Sequence, residues 1–79
     1  MATVQETVLE YVRSEVIPDR RIAYDTSLYS LGANSLEMVA VKTRLEKHYG
    51  VRIPDEVATR EAFESVDSIS RLLARLGVR

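Results

Sequence analysis

Ser35 stands where a loop becomes a helix, and its hydroxyl carries most of the chemical interest in this sequence. It lies in "LGANSLEM", residues 31 to 38. Asn34 is a good N-cap, and Glu37 stands three residues later to reciprocate. With Asn34 doing the capping, the Ser35 hydroxyl is left free of the backbone. A first-turn position sits among unpaired N–H groups at the positive end of the helix dipole, which favours an attached phosphate. Gly32 and Ala33 are small and leave room for an approaching protein. No neighbouring side chain is placed to activate the hydroxyl, so activation has to come from a partner. Chemistry alone favours an ordinary first-turn serine over a modified one.

Other reactive groups are sparse. His48 is the single histidine, and the chain has no cysteine. No second acid–base group is placed beside His48 by sequence, so it reads as an exposed or partly packed residue near a helix end. A lone histidine without cysteines gives no zinc signature. Asp55 and Glu56 read as an acidic pair stabilising a helix N-terminus rather than as cation ligands. No glycine pattern forms a phosphate loop or a dinucleotide fingerprint. Catalytic residues and metal ligands are therefore expected to be absent.

Composition narrows the classes further. Across 79 residues, 46% are hydrophobic and 29% charged, which describes a globular chain rather than a disordered one. Eleven basic and twelve acidic residues leave a net charge of −1. Residues 1–39 carry an excess of three negative charges and residues 40–79 an excess of two positive ones. A nucleic-acid surface wants a concentrated basic stripe, and none is present. No run approaches the roughly 20 apolar residues that cross a bilayer, and no secretory pattern opens the chain. The expectation is a cytoplasmic monomer that neither binds nucleic acid nor inserts into membranes, with residues 1–79 as one domain.

The elements that must position Ser35 follow from periodicity and punctuation. Thr3 and Glu6 predict a capping box, and Val4, Val8, Leu9, Tyr11, Val12 and Val16 recur at helical spacing. Pro18 and Asp19-Arg20-Arg21 are expected to end that helix. Residues 17–34 form a long connection that is too apolar to be free, with Leu28 and Leu31 expected to plug the core. "DTS", residues 25–27, predicts a turn with a short helical turn after it. The second helix is expected from Ser35 to about Tyr49, closed by Gly50. Met38, Val41, Leu45 and Tyr49 should face the core. Leu36 and Val39 lie on another side, with inward packing open for Leu36. "VRI", residues 51–53, reads as a connection or an edge strand without a partner. "DEVATREAF", residues 55–63, predicts a short third helix. Ser65 caps the last, whose stripe is Val66, Ile69, Leu72, Leu73 and Leu76. The reading is all-α, a small four-helix bundle with three longer helices and a short third.

"LGANSLEMVAVKTRLEKHYGVRIPDE" resembles the central half of an acyl or peptidyl carrier protein. Leu31, Gly32, Ser35 and Leu36 match that family's serine motif, as do "DTSL" at 25–28 and "IPDE" at 53–56. The resemblance extends over nearly the whole chain. It implies an acyl-carrier-like fold and a covalent shuttle. A phosphopantetheinyl transferase would use coenzyme A and Mg²⁺ to attach 4′-phosphopantetheine to Ser35. The arm's thiol would then hold an acyl or aminoacyl thioester, which supplies the sulfur that a cysteine-free chain lacks. Loading enzymes and downstream synthase or tailoring enzymes are the implied partners. Asn34 departs from the family, which usually has an acid there that helps to position Mg²⁺; asparagine keeps the cap and an oxygen ligand but lacks the charge.

Fatty-acid carriers that resemble this chain usually present a dense acidic face on the second helix. Here that helix mixes Glu37, Lys42, Arg44, Glu46 and Lys47, which steers less strongly toward a basic groove. The mixed surface fits a polyketide, nonribosomal peptide or hybrid pathway better, with a fatty-acid or D-alanyl carrier as the alternative. The docking candidates are Asn34, Leu36, Glu37, Val39 and Thr43. The competing class is a noncatalytic helical interaction protein that is never covalently modified.

Overall fold

In the computed structural model, residues 3–16 and 22–78 are described. Helix α1 spans Val4–Glu15, α2 spans Ser35–Tyr49 and α3 spans Val66–Arg75, with a 3-10 turn at Tyr29–Leu31 between the first two. The result is a small all-α bundle in which α1 packs against both α2 and α3. Its radius of gyration of 11.2 Å is close to the roughly 12 Å expected for a compact chain of this length.

Each helix starts where its cap stands. Thr3 accepts the Glu6 N–H at 3.1 Å while the Glu6 carboxylate accepts the Thr3 N–H at 2.9 Å. Ser65 and Ser68 form the equivalent reciprocal pair at α3. Two donors that a helix N-terminus would leave unpaired are satisfied each time. The break expected at Pro18 and Asp19-Arg20-Arg21 lies outside the described residues. At the far end of α2, Gly50 takes a φ of 65°, and the Val51 N–H reaches back to the Glu46 carbonyl at 3.2 Å. A left-handed residue is needed to close the helix this way, and glycine adopts it without steric cost.

The long connection is pinned rather than free. Leu28 is fully buried, while Leu31 and Tyr29 pack partly against the core. The Leu28 N–H donates to the Glu64 carbonyl at 2.7 Å, and the Asp67 N–H donates to the Tyr24 carbonyl at 2.9 Å. The Ser27 hydroxyl donates to the Glu64 carboxylate at 2.6 Å. These bonds tie the segment before α2 to the start of α3. The core they close includes Val8, Val12, Val41, Leu45, Ile69 and Leu73, all with no exposed surface. Dense packing of this kind is what makes each missing methylene costly.

The short helix expected over 55–63 takes the form of two successive turns. One closes through Val57 and Ala58 N–H groups on the Pro54 carbonyl, and the other through Phe63 N–H on the Thr59 carbonyl. The Thr59 hydroxyl accepts the Ala62 N–H at 3.1 Å, a local bond that starts a new turn instead of continuing the first. Nine residues with few core-facing side chains gain too little from packing to offset helix nucleation. Phe63 and Ile53 anchor the segment, being 4% and 1% exposed. Residues 51–53 form no strand; the Ile53 N–H is taken by the Glu46 carboxylate at 2.8 Å.

Candidate functional site

The approach to Ser35 is a tightening coil. Leu31 N–H and Ala33 N–H both donate to the Leu28 carbonyl, at 3.1 and 3.2 Å, and Gly32 N–H donates to the Tyr29 carbonyl at 3.1 Å. Gly32 has a φ of 100°, which turns the chain out of this coil into an extended Asn34. Ala33 is buried beneath. The start of α2 therefore hangs from Leu28, the side chain that plugs the core.

At that start, the Asn34 side-chain oxygen accepts the Glu37 N–H at 2.9 Å, and the Glu37 carboxylate accepts the Asn34 N–H at 3.0 Å. Ser35 is the first residue of the helix and is exposed. Among the described residues, no hydrogen bond engages its hydroxyl, its own N–H or the N–H of Leu36. An open hydroxyl next to two unpaired amides at the positive end of a helix suits a phosphate ester, so the donor set fits a phosphopantetheine group.

The apolar candidates on α2 are open. Leu36 is 81% and Val39 55% exposed, so the inward packing left open for Leu36 does not occur. Met38, Val41 and Leu45 take the core side instead, at 4%, 0% and 0%. Thr43 is also exposed and donates its hydroxyl to the Val39 carbonyl at 3.0 Å. Glu37 is half-buried and already committed to the cap.

Beside Ser35 lies a shallow groove of about 250 Å³ between α2 and the two turns. Ser35, Met38, Val39 and Lys42 form one wall, with Tyr29 at the end, and Asp55, Ala58, Thr59, Arg60 and Phe63 opposite. Lys42 Nζ lies 3.2 Å from Asp55 Oδ1 across it. The Arg60 guanidinium sits over the Tyr29 ring, 4.1 Å from its centre. Sequence reasoning did not single out Tyr29, Lys42 or Arg60. Lys42 follows Ser35 by seven positions on α2 and was visible in the helical period; Tyr29 and Arg60 join only through the fold.

His48 lies away from this groove. Its Nδ1 is 2.9 Å from the Tyr11 hydroxyl, and its ring meets Tyr11 and Tyr49 edge-on. Arg44 pairs with Glu15 at 3.0 Å nearby. Asp55, expected to support a third helix, instead holds Lys42. Among the described residues, no group of three or more His, Cys, Asp or Glu side chains gathers as a metal site, and no helix is long and apolar enough to cross a membrane.

Fold and site define a class: a small helical scaffold with an exposed serine hydroxyl beside a shallow groove at the start of a helix. Residues 6–76 match the family described as a phosphopantetheine attachment site. The chain belongs to that family of phosphopantetheine-binding acyl and peptidyl carrier domains. Its general role is thus that of a phosphopantetheine carrier, a non-catalytic module on which other proteins act.

Proposed function

We propose that Ser35 carries the 4′-phosphopantetheine arm, and that the chain presents acyl or aminoacyl thioesters to enzymes of a polyketide, nonribosomal peptide or hybrid pathway. The observation that carries this is the free, exposed Ser35 hydroxyl at the first turn of α2, inside the matched region. In the loading step the Ser35 oxygen forms a bond to the phosphorus of coenzyme A that bears the pantetheine. The phosphoanhydride bond of coenzyme A would break, adenosine 3′,5′-bisphosphate would leave, and the hydroxyl proton would pass to a base of the transferase, because no described side chain is hydrogen-bonded to the Ser35 hydroxyl. Once attached, the group supplies a thiol that takes up cargo as a thioester. The chain's own part is to hold Ser35 at a rigid helix start and to offer a docking surface.

The pathway reading rests on α2. Lys42 is paired with Asp55, Arg44 with Glu15, and Glu46 holds the Ile53 N–H. With Lys47 the one α2 cation left without an ion pair among the described residues, the charges steer partners weakly, which makes the exposed Leu36 and Val39 the main contact surface. Docking by apolar contact suits partners without a strongly basic groove; a fatty-acid or D-alanyl carrier is the alternative. The partners are a phosphopantetheinyl transferase, an acyl- or aminoacyl-loading enzyme and downstream synthase or tailoring enzymes. On this reading residues 1–79 work as one monomeric carrier domain. A thiol-bearing arm belongs in the reducing cytoplasm.

The test is the intact mass of the protein before and after incubation with coenzyme A, Mg²⁺ and a permissive transferase. One added prosthetic-group mass, mapped to Ser35, is the expected result. An unmodified Ser35 under conditions that load another carrier would favour the noncatalytic interaction protein instead.

A further inference from the structure

We propose that Arg60 holds the phosphodiester of the arm on Ser35, and that Tyr29 is the platform that aims it. The inference rests on the carrier reading above and deepens it by naming a residue that orients the base of the arm.

The charges around Ser35 are mostly committed. Lys42 is held by Asp55 at 3.2 Å, and the Glu37 carboxylate is on the Asn34 N–H at 3.0 Å. Arg60 lines the same groove as Ser35 and has no ion-pair partner among the described residues. A phosphodiester placed at Ser35 adds a negative charge to a groove that the Asp55 carboxylate also lines. Arg60 is the countercharge in the groove that remains available to it.

Its geometry suits the task. With its central carbon 4.1 Å from the centre of the Tyr29 ring, the guanidinium is held by a cation–π contact, and none of its N–H donors is hydrogen-bonded among the described residues. Those donors stay free for the paired contact that a guanidinium makes with phosphate oxygens. Stacking also restricts a long side chain in advance, so less freedom is lost when an anion binds. Tyr29 is itself fixed to the approach of α2, because its carbonyl accepts the Gly32 N–H at 3.1 Å. Platform and serine thus ride on one hydrogen-bonded segment.

The experiment compares the unloaded protein with protein loaded by a transferase, following the Arg60 side-chain Nε–H by ¹H–¹⁵N NMR and the phosphodiester by ³¹P NMR. Loading should shift the Arg60 Nε–H signal, and the shift should shrink in about 1 M salt, where screening acts within a few ångströms. Arg60→Gln should narrow the ³¹P line, Arg60→Lys should restore part of its width, and Tyr29→Leu should reduce the Arg60 shift. Matched helical spectra verify that the variants are folded, as expected for an exposed arginine. An Arg60 signal unmoved by loading overturns the proposal. So does a ³¹P line equally narrow in wild type and Arg60→Gln, or an Arg60 shift that arises only once an acyl group is added. Failure to gain the prosthetic-group mass overturns the carrier reading itself; full mass with a silent Arg60 overturns only the phosphate contact.

Discussion

Asn34 and Glu37 cap each other: the Asn34 side chain accepts the Glu37 N–H at 2.9 Å, and the Glu37 carboxylate accepts the Asn34 N–H at 3.0 Å. Ser35 sits between them with no share in either bond. Asn34→Ala should therefore destabilise the fold by about 0.5–2 kcal/mol, read by denaturant unfolding. Asn34→Asp keeps the acceptor and should match the wild type in stability, while raising the rate of metal-assisted loading. Equal stability of all three proteins would remove the capping role.

Ser35→Ala should abolish the added prosthetic-group mass and leave unfolding within about 0.5 kcal/mol of wild type, as for a surface side chain without partners. Ser27→Ala and Ser30→Ala should still load. Ser27 carries a structural cost of its own, since its hydroxyl donates to Glu64 at 2.6 Å. Mass spectrometry and thermal unfolding of the three variants separate the roles.

Glu6 gives a pH prediction. Hydrogen bonds from the Thr3 N–H, and then from the Thr3 side chain, hold its carboxyl below the ordinary value of 4.5. The unfolded chain then binds the proton more readily, so this contribution is complete above the ordinary value and disappears as pH falls through the lowered one. Glu6→Gln should be less stable than wild type at neutral pH. The gap should close as pH drops below about 4.5, measured by unfolding at a series of pH values.

Leu28 joins the loop to the core. It is fully buried, and its carbonyl accepts both Leu31 and Ala33 N–H groups. Leu28→Ala should cost roughly 2–5 kcal/mol, with Leu31→Ala nearer the low end because Leu31 is only half-buried. Loading of Leu28→Ala should fall in parallel with its folded fraction.

Docking is tested at Leu36 and Val39. Each truncation to alanine should leave the helical spectrum intact and lower kcat/KM of the transferase by roughly tenfold, about 1.4 kcal/mol. Glu37 needs a gentler change than a reversal of charge, because Glu37→Lys removes the cap together with the rim carboxylate. Glu37→Gln keeps an acceptor oxygen for the Asn34 N–H and isolates the charge. Unchanged rates in Leu36→Ala and Val39→Ala would move the docking surface off this face.

Local rules determined much of this molecule directly from the chain. Thr3, Asn34 and Ser65 start helices because a short polar side chain can satisfy an unpaired N–H from there, whatever the rest of the fold does. Gly50 closes α2 and Gly77 follows the end of α3 because glycine alone enters the left-handed region at no cost. The core side of α2 was legible at Met38, Val41 and Leu45, and the start of that helix at Ser35 was legible from the Asn34 cap beside it. Residues 55–63 were not, since a marginal helix is decided by how much apolar surface it buries, and within that stretch only Phe63 is buried. Leu36 was equally undecided, because a helix of this size has two apolar tracks and only packing shows which is covered. Tertiary structure alone brought Arg60 onto Tyr29 and Lys42 onto Asp55 around Ser35. Those contacts join residues far apart in the chain, and no local preference of either partner encodes the distance that closes between them.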